Sequence, residues 1–350
     1  MSDGGAKEEV RKLQLTGGST YIVSLPKGWV KKMGLGKGSN VSITQMDDMT
    51  LRLKPEGAGR EEEPRKAVIA VSDDITPENV VRRVISAYLI GYGMIQIRNP
   101  VKRIDLAQKL AVKDFTRKKL IGTEILSDLP HELTLQVLLS RSELSVTDAL
   151  RRMSVIAASM HREAMSALWS DDSQLAREIV ALDDEVDRFG LYIIRLLKEA
   201  TVDPYSIREI GLRSAREGLG YRLITKSVER MADHAVNIAQ NSLALTLSGL
   251  GDELMGGLGP LSEEAVGVFE GSIEALFDWS YALAEGVIGR AERIRGEEAE
   301  VVRRIIKNAA PGDVPALRLI VESVMRTAEY GADVAEVVLN LTIRDEIRGV

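Results

Sequence analysis

The 350 residues are 45% hydrophobic but only 4% aromatic, contain no cysteine and carry a net charge of -6. This composition excludes a disordered chain and points to aliphatic cores of the helical-bundle kind, more than one of them at this length. It also excludes disulfide scaffolds, thiolate metal sites and cysteine nucleophiles, so any metal must be held by oxygen or nitrogen. No apolar run approaches the roughly 20 residues of a membrane span. "MSDGGAKEEV" lacks the basic flank and apolar middle of a secretory signal, so the expected compartment is the cytoplasm.

Charge is unevenly spread. Up to residue 60, ten Lys/Arg face six Asp/Glu, whereas the rest of the chain has 36 basic and 46 acidic residues. A basic head suits nucleic acid and an acidic body suits cations. In the head, "RKLQLT", "TYIVSLP", "NVSITQM" and "MTLRLKP" alternate as short strands do, with "GGS" and "DD" as turns and one short helix, "KGWVKKMGL", after Pro26. This unit, residues 8–57, has too little apolar surface to be stable alone and is expected to share a core with a second copy, as a homodimer. "PEGAGREEEPRK", residues 55–66, has no apolar residue larger than alanine, and the linker is placed at 58–66.

Residues 67–140 read as a small α+β domain. Strand "AVIAVS" precedes a helix from Pro77 through "ENVVRRVISAYLI", then come strand "MIQIR", a helix around "IDLAQKLAVKDFTRKKL", and strands "IGTEILS" and "ELTLQVLLS". Thr76 and Pro77 supply an N-cap and an N1 proline. No catalytic constellation stands out here.

From 143 to 347 the pattern is helical, in segments at about 143–169, 172–200, 204–247, 262–289, 290–309 and 313–347. "LSGLGDELMGGLGP" divides them three and three, which predicts an internal repeat, 143–247 and 262–347. Aligning "AREIVALDDEVDRF" with "AERIRGEEAEVVRR" sets Asp183 over Glu298. Aligning "ERMADHAV" with "EYGADVAE" sets Glu229 over Glu329 and Asp233 over Asp333.

Those acids lie on stripes of small or apolar residues. Ala176, Val180, Asp183, Asp187, Gly190 and Ile194 share one face of the second helix, which turns both aspartates inward. Four inward acids on adjacent helices call for a cation, and a hard, oxygen-preferring metal ion would supply one. The competing expectation is a solvated acidic face answered by Arg188, Arg222, Lys226 and Arg230. His234, beside Asp233, is left out of the ligand set, and His131 and His161 have no ligand-spaced neighbours.

"ERMADHAVNIAQ", "DDEVD" and "EYGAD" resemble the motif helices of the PhoU family of phosphate-uptake regulators, over about residues 143–347. The resemblance implies a tandem pair of three-helix bundles with E/D-x-x-x-D motifs binding metal clusters. Asp183, Asp187, Glu229 and Asp233 would then be ligands in the first bundle, and Glu298, Glu329 and Asp333 in the second. Val302 stands where a repeat of Asp187 is expected, leaving the second site one ligand short. The metals implied are divalent or trivalent ions, with iron, zinc, magnesium and calcium fitting alike.

Over residues 9–55, "VRKLQLTGGSTYIVSLPKGWVKKMGLGKGSNVSI" and "DDMTLRLKP" resemble the SpoVT/AbrB swapped-hairpin DNA-binding domain, in which two protomers interleave strands into one barrel. The resemblance places Arg11, Lys31 and Lys32 at DNA-contacting positions, with Lys12 and Lys27 adding phosphate contacts. "GGST" stands where that family carries an arginine, which removes the bidentate fork suited to reading a base edge.

No phosphate-binding loop occurs, and "GLGKGS" and "GYGMIQ" fail the nucleotide-binding spacings. No Glu-x-x-His accompanies the helical carboxylates, which argues against a ferritin-like di-iron enzyme. The expectation is therefore a multi-domain, non-enzymatic regulator of phosphate uptake: AbrB-like head, small α+β domain and PhoU-like body. It would bind metal ions and duplex DNA. The alternative is a regulator that docks onto a phosphate transporter ATPase or its signalling partner and uses the head only to dimerise; a carboxylate-bridged metalloenzyme ranks behind both.

Overall fold

The computed structural model describes residues 8–45, 49–55, 65–139, 143–202, 206–245 and 252–347. The expected linker falls largely outside these residues; its last residue, Lys66, opens a strand. The chain forms two compact units, 1–64 and 65–350.

In the first unit β1 (Gln14–Thr16) turns back into β2 (Thr20–Ile22) as an antiparallel pair. Gly17 and Gly18 make that turn at φ 63° and 82°, a region costing most other residues about 1–2 kcal/mol. Helix α1 (Lys27–Lys32) follows Pro26, and β3 (Val41–Gln45) pairs with β4 (Leu51–Pro55). The two hairpins are separate two-stranded sheets, so no barrel closes among the described residues of one chain. None of the head's described residues is buried; Leu13, Leu15, Tyr21, Ile43 and Leu51 are each more than half exposed.

The second unit opens with β5 (Lys66–Ala70), α2 (Pro77–Ile90), β6 (Met94–Arg98), α3 (Leu106–Lys119), β7 (Thr123–Leu129) and β8 (Glu132–Val137). Strand order is β5-β6-β8-β7, with β5 and β6 parallel and the other neighbours antiparallel. Ile95, Ile97, Leu133 and Leu135 are buried with Val80, Val84, Ala87 and Tyr88 of α2 and Val112 of α3, the period-2 and period-3.6 faces that the sequence alternation dictates. Thr76 caps α2 by accepting from Asn79 N, as expected.

The remainder is helical: α4 (Val146–Ser170), α5 (Ser173–Val202), α6 (Ser206–Glu209), α7 (Ala215–Ser242), α8 (Asp252–Phe277), α9 (Tyr281–Asn308) and α10 (Val314–Glu346). α4, α5 and α7 form one three-helix bundle and α8, α9 and α10 another, with α7 against α10 and α4 against α8 joining them. One aliphatic core runs through both. Gly331 of α10 lies so close to α8 that a Cβ there would sit 2.8 Å from the Phe269 backbone.

Three helix boundaries differ from the sequence expectation. The third helix is not continuous from 204: Gly211 at φ 86° ends α6, and α7 starts afresh at Ala215, with Ser214 accepting from Glu217 N and the Glu217 carboxylate accepting from Arg213 N. "SARE" is a capping-box spacing whose signal was available in the sequence. The next break falls at 278–280, not at 289/290. There Trp279 takes φ 54°, its indole donating to Asp345, and Ser280 caps α9. Part of the expected glycine-rich spacer, from Asp252 through Pro260, is the start of α8, because packing on a neighbouring bundle overrides the weak helix propensity of glycine.

Where the bundles meet, His161 of α4 is fully buried; Nε2 lies 2.9 Å from Ser262 Oγ of α8 and Nδ1 3.1 Å from Thr327 Oγ1 of α10. Burial, helped by Arg162 and His234, pushes its pKa down to about 3. Protons therefore bind the unfolded chain below its ordinary pKa of 6.5 but not the folded one, and the stability contribution, complete above 6.5, is lost as pH falls towards 3. Urea melts should show His161→Leu weakened at pH 7.5 by about 1–3 kcal/mol, while its loss of stability per pH unit between 6 and 4 is smaller than the parent's by about 1.4 kcal/mol.

Candidate metal centre and head surface

Asp183 and Asp187 stand one turn apart on α5, and Glu229 and Asp233 one turn apart on α7, the helix packed against it. The structure brings these four expected residues together: Asp183 feels the charges of Asp187 and Asp233, and Asp233 those of Glu229 and Asp187. They do not all point into the bundle as expected. Asp183, Asp187 and Glu229 are half-buried and Asp233 is exposed, while Ala232, Ala235 and Ile238 take the core side of α7.

Burial, then the Asp187 and Asp233 charges, push the Asp183 carboxyl up to about 6. Its Oδ1 is buried without a hydrogen-bond partner. Burial and the adjoining Glu229 likewise raise Asp233. An all-oxygen set containing an orphaned oxygen and two acids that resist ionisation fits a hard cation. Among the described residues, though, no three acidic or histidine side chains are already closed around a metal position. Side-chain cations are present instead. Lys226 Nζ lies 2.6 Å from Glu229 Oε1. Lys119, the last residue of α3, places Nζ 2.5 Å from Asp184 Oδ1 and 2.6 Å from Asp187 Oδ2. Desolvation works against the Lys119 charge, but its bonds to Asp184 and Asp187 prevail and raise its pKa. Of the basic residues offered by the sequence, Lys226 answers the acids directly, whereas Arg188 pairs with Glu185.

The second bundle is built differently. Glu298 is exposed and lines an open cavity with Val302, Glu322, Arg326 and Glu329. Glu329 Oε2 is taken by Arg326 Nη1 at 2.6 Å. Asp333 is raised by burial, then by Glu336 and Glu329, with Arg230 and Arg295 opposing. Arg295, not an acid, is thus the α9 residue whose charge reaches Asp333, and Glu298 keeps company with Glu329. The second set is answered by guanidinium groups where the first is met chiefly by the ammonium groups of Lys119 and Lys226.

In the head, Arg11 pairs with Glu9 and Lys12 follows it in the segment before β1. Lys27, Lys31 and Lys32 all lie on α1 and are exposed, the last two in its final turn, where the helix dipole favours positive charge.

Residues 150–242, which contain all four acids of the first bundle, match the PhoU domain. Over that stretch the chain is similar to the PhoU domain. Residues 14–61 match MazE, a bacterial antitoxin of antidote–toxin recognition, so the PhoU domain follows a MazE/AbrB-like head. The structure is similar to PhoU from Pseudomonas aeruginosa (19% identity, TM-score 0.50, covering 57% of this chain and 96% of that one). It is also similar to the phosphate transport system regulatory protein PhoU from Streptococcus pneumoniae (18% identity, TM-score 0.48, covering 58% and 96%). Identities this low speak for the fold alone. No curated protein matches the chain. Among the described residues no helix is long and apolar enough to cross a membrane.

Sequence reasoning missed Lys119 and Asp184. "FTRKKL" reads as an ordinary basic helix end, and no local signal announces that one of its lysines reaches another domain. The raised Asp183 pKa gives a testable sign. Its protonated form is favoured by folding, so this contribution is fully present below about pH 4 and is lost as pH rises through about 6. In chelator-treated protein Asp183→Asn should raise the melting temperature at pH 7.5 and have no such effect at pH 4, as read by circular dichroism.

Proposed function

We propose that this chain is a homodimeric, cytoplasmic regulator of phosphate uptake that binds metal ions in its first helical bundle and duplex DNA through its head. The observation that carries the reading is that the PhoU-domain match encloses Asp183, Asp187, Glu229 and Asp233, acids of two packed helices whose charges act on one another and among which Asp183 keeps a buried, unpartnered oxygen. A divalent or trivalent ion held there would neutralise the mutual repulsion of the four acids and tie α5 to α7. Glu298, Glu329 and Asp333 would bind metal weakly, since Val302 leaves the set one ligand short and arginines already answer Glu329 and Asp333. The role in phosphate uptake is carried over from the PhoU-domain match at residues 150–242 as part of the proposal.

The head supports two further parts of the reading. A unit whose described residues are all at least partly exposed, with Leu15, Tyr21, Ile43 and Leu51 open to water, gains a core by pairing with a second copy. Two copies present Arg11, Lys12, Lys27, Lys31 and Lys32 twice, a symmetric arrangement suited to duplex phosphates. A second reading, in which the head only dimerises and the body docks onto a transporter ATPase or signalling partner, is favoured by Leu219 and Leu223. They are 72% and 59% exposed and line a cavity with Trp279 and Leu341.

Titrating the full chain with duplex DNA at several salt concentrations separates these readings. DNA binding should weaken steeply with salt, and Lys31→Ala with Lys32→Ala should flatten the log–log slope by about one unit per lost phosphate contact. Equal slopes in parent and variant favour the second reading.

Metal content after gel filtration without chelator tests the body. Asp233→Asn should lower the bound metal per chain more than Asp333→Asn, and identical content in parent and both variants would remove the metal site from the proposal.

A further inference from the structure

Two anchors of opposite character fasten the α+β domain to α5. The first is buried. Arg195 donates from Nη1 to Tyr88 O (2.6 Å) and Tyr92 O (3.0 Å) at the end of α2, pairs with Glu199 through Nη2 (2.9 Å), and lies over the Tyr88 ring at 4.8 Å. Both side chains are about nine-tenths buried, at 8% and 11% exposure. Gly91, the left-handed C-cap of α2, makes this approach possible, since a Cβ there would meet Glu199 Cγ at 2.9 Å. Breaking such a network leaves a buried charge without its partners, a large cost.

The second anchor is Lys119, whose ammonium bridges Asp184 and Asp187. The lysine side chain is only 15% exposed, but the two aspartates are 43% and 34% exposed. Pairs this close to solvent contribute little to stability and exchange readily. Asp187 is also one of the four acids assigned to the metal, and Asp183, one turn away, has a buried oxygen without a partner. An ammonium and a metal dication drawing on the same carboxylate repel each other at these distances.

We propose that Lys119 is a built-in competitor for the cation of the first bundle: a metal ion bound by Asp183, Asp187, Glu229 and Asp233 displaces its ammonium and releases the end of α3 from α5. Arg195 meanwhile keeps α2 in place. The inference rests on the metal-binding reading above and adds the means by which bound metal reaches the rest of the chain. Linkage makes the effect reciprocal: what weakens the Lys119 contact strengthens metal binding by the same factor.

The test uses the full, chelator-treated chain and manganese(II) chloride as the probe, followed by calorimetry and by amide hydrogen exchange. Lys119→Met should bind manganese about tenfold more tightly than the parent, within the usual range for coupled sites. Lys119→Arg, which keeps the charge and adds a bidentate fork, should bind no more tightly than the parent. In the parent, manganese should speed exchange across residues 115–122 and leave residues 80–92 unchanged. Equal affinity in parent and Lys119→Met, with unchanged exchange at 115–122, overturns the competition but leaves the metal site standing. Absence of manganese binding in both rejects the metal site and the competition with it. Should Lys119→Met not fold, exchange in the parent and the affinity of Lys119→Arg decide: a steady 115–122 segment or tighter binding by Lys119→Arg rejects the proposal.

Discussion

Helix α5 belongs to two cores at once, and the arrangement of the second unit follows from that constraint. Its Ala176, Ile179, Val186, Ile193 and Leu196 are buried in the three-helix bundle, while Leu191 packs against the core of the α+β domain. A helix with both flanks occupied keeps only a narrow stripe for polar groups. Asp183, Asp184 and Asp187 fill that stripe, so their partners must come from α7 or from α3. Both supply one, acids from α7 and an ammonium from α3, and the electrostatics of the site are the balance between them.

The second bundle has no domain of this kind docked on α9 among the contacts of the described residues, and its acids are answered by Arg326 and Arg295 of its own helices and by Arg230 of α7. Guanidinium groups remain charged under all ordinary conditions and hold carboxylates in a fixed fork. A lysine at the end of a helix from another domain is easier to displace. Tandem copies of one helical design therefore end with different electrostatics: acids met by lysines in the first and by arginines in the second. That only the first copy falls within the PhoU-domain match is in keeping with this divergence.

The bundles themselves are held by contacts that allow little independent movement. Gly331 lets α10 approach the backbone of α8, and His161 is hydrogen-bonded from the first bundle to two helices of the second. His234 repeats the pattern on α7, with Ser323 at 3.2 Å and Tyr330 at 3.4 Å. His161, which has no ligand-spaced neighbours in the sequence, and His234, which was left out of the ligand set, prove to be fasteners of this interface. Among its described residues the head has no comparable closure within one chain, and Leu15, Tyr21, Ile43 and Leu51 of its strands are exposed.

Much of the fold was legible in the sequence because strand alternation and helix periodicity are local. The eight strands, the two helices of the α+β domain and the motif helices fall where those periods put them, and Thr76, Pro77, Gly17 and Gly18 mark their ends by chemistry that needs no neighbours. The four acids of the first bundle were also recoverable, since a four-residue spacing fixes a shared helix face. The sequence could not determine how far each face was buried, where α9 begins, or which cations meet the acids. Trp279 adopts a left-handed backbone where Asp345 receives its indole, and Lys119 reaches Asp184 and Asp187 across more than sixty residues of chain. Those outcomes depend on the angle at which helices distant in sequence pack together. Periodicity sets which face of a helix is apolar; only the tertiary structure decides what stands opposite it.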